Sequence, residues 1–157
     1  MEKLIKYGLL LVILLICFLL IRFFMLGYKS RGSELGVVAF DGSLKSCGTK
    51  PNCVSSRAEK GPFFISPISF SGDPAAALLK LEGILAKMDR LKVEKKEGAY
   101  LYVTARSKIF GFVDDVQFHI PAGVSWIEVR SESRVGYSDL GANRKRVEQI
   151  RLLFSGS

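Results

Sequence analysis

From Tyr7 to Ile21 the chain carries no charged side chain, and beyond Arg22 the apolar run continues through Phe23, Phe24, Met25 and Leu26. No other stretch restricts the molecule as much. As a helix, residues 7 to 28 would be about 33 Å long, enough to cross a hydrocarbon core of roughly 30 Å. Arg22 lies near one end, where its stem can snorkel to the headgroups, and Tyr28 supplies an interfacial anchor. The rival reading is a cleaved signal peptide, whose apolar core spans about 7–15 residues and ends at a small-x-small site. "FFMLGYKS" offers no such site. Cys17 follows Ile16, a poor setting for lipoprotein processing, and reads as a passive apolar residue. The sequence therefore predicts an uncleaved transmembrane anchor over residues 1–28, with membrane contact through 7–28. Its flanking cations are nearly balanced (Lys3 and Lys6 against Lys29 and Arg31), so charge alone does not orient it.

Charge also limits what the remainder binds. Residues 30–157 carry 19 basic and 14 acidic side chains, interspersed apart from Arg144-Lys145-Arg146. Such a mixture reads as a solvated face with some attraction for anions. No nucleic-acid motif is present, and no nucleic-acid partner is expected. Residues 29–43, rich in Gly, Ser and Lys around a short apolar patch at Leu35–Phe40, read as a linker; an ordered loop follows, and residues 44–157 form one soluble domain.

Within that domain "SGDPAAALLKLEGILAKM" signals a helix start, with Asp73 as N-cap and Pro74 in the first helical position. Leu78, Leu81, Leu85 and Met88 make one apolar stripe. "LKVEKKE", "AYLYVTA", "FVDDVQFHI" and "VSWIEVRS" alternate with period two and read as four strands, turning at Gly98 and at Pro121-Ala122-Gly123. Matching apolar residues across the last hairpin sets Val116 opposite Val129 and Phe118 opposite Ile127. This register pairs Asp115 with Arg130. Asp114 has the opposite parity and points to the core. A last helix, from about Asp139 to Phe154, aligns Leu140, Val147, Ile150 and Phe154, with Asn143 in mid-stripe and Arg144 and Arg151 beside it. A polar group there needs partners, so Asp114, Asn143 and Arg144 are expected to meet. The fold class is α+β: a four-stranded antiparallel sheet with two helices on one face.

Three features could carry chemistry. Cys47 and Cys53 flank a Pro-Asn corner and could be a disulfide, part of a metal site, or a reactive dithiol. Zinc needs about four ligands, and the only histidine, His119, has no obvious companion, so no metal is expected. A dithiol lacks both Cys-x-x-Cys spacing and an activating histidine. The compartment decides between a bridge and free thiols. Asp114 and Asp115 resemble an acid/base pair, but neighbours on a strand face opposite ways and cannot share one reacting atom easily. Finally, "SRVGYSDLGANRKR" sets two glycines and Arg134 and Arg144 around a helix N-terminus. It could hold a carboxylate or phosphate, such as an anionic ligand or lipid at 134–144. Alternatively Asp139 or Ser138 caps the helix and the arginines brace Asp114.

"CGTKPNCVSS", "FVDDVQF" and "VRSESRVGYSDLGANRKRVEQIR", in that order, resemble the domain of unknown function 1499 family of bacteria and plastids, over roughly residues 44–154. The resemblance puts Cys53, Asp114, Asp115, Arg130, Ser131, Arg134, Gly136, Asp139, Gly141, Asn143 and Arg144 at signature positions. Cys47 matches the usual first cysteine, although Gly48 stands where proline is common. Members are often exported or membrane-anchored. The resemblance thus implies a single-pass protein of the inner (cytoplasmic) membrane, its domain in the periplasm and Cys47 bridged to Cys53. It implies no cofactor. Two functions fit: a non-catalytic envelope module binding a lipid, anionic glycan or protein partner, and an enzyme with Asp114, Arg134 and Asn143 in its site. No nucleophile–base set is visible, which favours the module.

Overall fold

In a computed structural model, residues 1–32 and 42–156 are described. Helix α1 (Glu2–Gly32) is followed by β1 (Cys53–Ser55), β2 (Ile68–Ser69), α2 (Pro74–Lys87), β3 (Leu91–Glu97), β4 (Tyr100–Arg106), β5 (Val113–His119), β6 (Trp126–Ser133) and α3 (Ala142–Ser155). The apolar run is one helix, about 46 Å long at 1.5 Å per residue, and it continues four residues past Tyr28. Most of the expected linker, with its apolar patch at 35–40, lies outside the described residues.

The α+β class stands, but the sheet has six strands among the described residues, not four. Its order is β1-β6-β5-β4-β3, all antiparallel, with β2 also paired to β6. The two extra strands are only three and two residues long; β1 sits in the stretch read as an ordered loop and β2 just beyond it. Helices α2 and α3 cover one face. Leu78, Leu81 and Leu85 from α2 and Val147, Ile150 and Phe154 from α3 bury against Leu101, Val103, Val116, Phe118, Ile127 and Val129. Asp73 caps α2 as expected, its carboxylate accepting from the Ala76 amide at 3.1 Å.

The β5–β6 register differs from the expected one by two residues. Phe118 faces Val129, Val116 faces Ser131, and Asp115 faces Glu132 instead of Arg130. One observation explains the slip. Ser131, an unattractive neighbour for Val116 on hydrophobicity alone, is required by a buried polar cluster described below. A two-residue shift preserves parity, so each side chain keeps its face. The last helix also begins later than expected. Leu140 precedes it with φ 53° and is 89% exposed, so it is not part of the apolar stripe.

Candidate functional site: two polar clusters on opposite faces

On the helix-covered face the centre is Asn143, fully buried in the first turn of α3. Its Oδ1 accepts from the Ser131 hydroxyl at 2.5 Å and from Arg146 Nη1 at 2.7 Å. Its Nδ2 donates to the Asn52 carbonyl at 2.9 Å and to Ser133 Oγ at 3.1 Å. An amide has two acceptor and two donor positions, and all four are used. Asn52, in the Pro-Asn corner, donates in turn to the Ser133 and Gly136 carbonyls. The corner, the end of β6 and the start of α3 are therefore one hydrogen-bonded unit.

Asp114 points to this side, as its parity requires, but its partner is Arg146 at 2.5 Å and not Arg144 or Asn143. Arg144 reaches over the domain edge and donates to the Pro62 and Phe64 carbonyls, both at 2.8 Å. Asp139 accepts from the amides of Gly141 and Asn143, at 3.0 and 2.8 Å, which satisfies donors at the helix start. Arg146 escaped the sequence reading. It stands three residues after Asn143, one turn along the same side of α3, and that spacing was the available signal.

The opposite face carries a second cluster around Asp115, which is 3% exposed instead of lying on a solvated surface. Its carboxylate accepts from the Tyr102 hydroxyl at 2.6 Å and from Arg134 Nη2 and Nε at 2.8 and 3.0 Å. Arg130, the expected partner, instead pairs with Glu132 on its own strand. Burial, reinforced by the bond to Asp115, pushes the Tyr102 phenol well above its usual pKa, so it remains a donor. Burial alone would lower the pKa of Arg134. The hydrogen bond and charge of Asp115, with Tyr102 behind them, outweigh it and raise the value.

Arg134 continues from this cluster to α1, donating to the Ser30 carbonyl at 3.3 Å. The Ser30 hydroxyl donates to the Gly27 carbonyl at 2.6 Å and accepts from the Val113 amide at 3.0 Å. Gly27 presses on the β4–β5 loop so closely that any side chain there would overlap the Phe110 carbonyl. The end of the apolar helix is thus fixed onto the first residue of β5. Beside it opens a cleft of about 390 Å³ lined by Arg31, Glu94, Lys95, Tyr102, Thr104, Arg106, Val113 and Arg134. Four of these are cations and one is an acid. Glu94 is held below the usual carboxylate range, first by its hydrogen bond to Lys92 and further by the Thr104 hydroxyl.

The structure thus separates residues that the sequence grouped. Asp114 and Asn143 lie on one face and Arg134 on the other, so these three do not converge on a substrate-sized space. Arg134 and Arg144 likewise serve different neighbours. Cys47 and Cys53 are joined by a disulfide with Cα atoms 5.7 Å apart, directly beside Asn52.

No similar curated protein is found for the chain. The model of the family described as protein of unknown function DUF1499 matches residues 43–154, and the chain belongs to this family.

Proposed function

We propose that this DUF1499 protein is a non-catalytic module at a membrane surface, anchored by α1, that binds an anionic headgroup in the cleft beside the end of that helix. The observation carrying the proposal is the position of the cations. Arg31 stands three residues beyond Tyr28, on the last turn of α1, and shares the cleft with Lys95, Arg106 and Arg134. If Tyr28 lies at the interface, the cleft opens at headgroup level, where phosphate groups are concentrated. The non-catalytic part rests on the carboxylates. Asp114 is committed to Arg146 and Asp115 to Tyr102 and Arg134, and a paired, buried carboxylate is a poor general base. The anchor is proposed to be uncleaved in the inner membrane, with the domain on the periplasmic side. The disulfide supports an oxidising compartment.

The test is native mass spectrometry of the full chain released from nanodiscs of phosphatidylglycerol or phosphatidylcholine. The anionic lipid should stay bound preferentially, and the double variant Arg31→Gln/Arg106→Gln should lose that preference. Equal retention of both lipids, or no change in the variant, would refute headgroup binding. Displacement by a soluble anionic glycan but not by lipid would move the ligand to the glycan class.

A further inference from the structure

The β4–β5 loop, residues 107–112, is closed by two hydrogen bonds, Ser107 N–H to the Phe112 carbonyl at 2.8 Å and Phe112 N–H to Ser107 Oγ at 2.9 Å. Its Phe110 ring stacks on Phe23 of α1 at 5.1 Å and meets Phe24 edge-on at 5.2 Å, and Phe112 adds an edge contact to Phe23. Phe23 lies five residues before Tyr28, about 7.5 Å further along the helix axis. The guanidinium of Arg31 lies directly over Gly111. The loop therefore runs alongside α1 between the level of Phe23 and that of Arg31. Ile109, at its tip, is 72% exposed.

We infer that this loop is a second membrane-contact site, inserted among the lipid acyl chains beside the anchor. The inference rests on the anchor reading above and extends it. If residues 7–28 span the bilayer, a ring stacked on Phe23 cannot stand in water. The loop must enter the outer part of the hydrocarbon with Phe110 and Ile109, leaving Lys108 and Arg31 to reach the headgroups. A lone exposed isoleucine would carry no such meaning. Here it neighbours an aromatic cluster continuous with the apolar surface of α1. Insertion at a second point would fix the tilt of the domain on the membrane, holding the cationic cleft toward the headgroups.

Three single-tryptophan proteins test this, each the full chain with Trp126→Phe: Phe18→Trp reports the anchor, Ile109→Trp the loop, and Leu79→Trp the outer side of α2. They are reconstituted into vesicles containing brominated phospholipid. The expected result is loss of emission for Phe18→Trp and Ile109→Trp, a blue-shifted spectrum at 109, and no loss for Leu79→Trp. If Phe18→Trp is not quenched, the anchor fails and the loop proposal falls with it. If Phe18→Trp is quenched while Ile109→Trp responds only to aqueous iodide, the anchor survives and the loop does not insert. Ile109→Trp quenched by neither agent would mean that this chain or a second copy of it covers the loop, and would equally overturn insertion.

Discussion

Removing the Asp115 carboxylate by Asp115→Ala should be among the most damaging single changes in the domain. The side chains of Asp115 and Arg134 are 4% and 6% exposed, so the guanidinium left behind could not recover its hydration. Leaving one partner of a buried ion pair uncompensated costs about 3–5 kcal/mol. Tyr102→Phe removes only the hydroxyl that bonds the same carboxylate at 2.6 Å, and a bond to a charged group contributes about 1.5–3 kcal/mol. Because Arg134 also holds the Ser30 carbonyl, Asp115→Ala should loosen the junction with α1. The assay is chemical denaturation of the full chain in detergent, comparing Asp115→Ala, Arg134→Ala and the double variant. Residues in one network couple by about 0.5–3 kcal/mol, so the double variant should lose markedly less than the sum. A loss below about 1 kcal/mol for Asp115→Ala, the level of an exposed pair, would refute the buried cluster. Strict additivity would refute the pairing.

Further outcomes follow from the same contacts. Asn143→Leu keeps the branched shape but takes the acceptor from the Ser131 hydroxyl and from Arg146, and one of two donors from the Asn52 carbonyl, which keeps the Ser133 amide; at about 1–3 kcal/mol per buried unsatisfied group, a loss of about 1–3 kcal/mol is expected in the same melts. Gly27→Val places a side chain against the Phe110 carbonyl, so it should free the β4–β5 loop and increase protease cutting there, while Gly83→Ala, in open space on α2, should not. His119 has its pKa lowered by burial, only partly offset by Glu128. Its folded pKa lies below the unfolded value, so its contribution is present above about pH 6.5 and declines as acid protonates the unfolded chain first. Stability curves from pH 7.5 downward should therefore flatten in His119→Gln.

The sequence disclosed what depends on local pattern. Alternation identified the four long strands, Asp73-Pro74 marked the start of α2, and strand parity sent Asp114 to the helix side. Each of these signals is complete within a few residues. What depends on distant partners was not legible. The burial of Asp115 requires Arg134 from beyond β6 and the end of α1 docked by Ser30, neither of which any spacing announces. The hairpin register could not be chosen by matching apolar residues, since Ser131 faces Val116 in order to reach Asn143 from the same face. Arg144 and Arg146, two positions apart on α3, point different ways and serve different neighbours, and for these two the helical spacing did carry the distinction.

The central claim, a domain held outside the cytoplasm on an uncleaved helix, is tested most directly by one labelling measurement. Cells expressing the Cys17→Ala protein, with only the outer membrane made permeable, are treated with a membrane-impermeant maleimide with and without prior reduction, and the intact protein mass is read. The account predicts no adduct without reductant, two adducts after it, and a mass that includes residues 1–28. Adducts without reductant, adducts only after the inner membrane is broken, or a mass lacking the helix would contradict it.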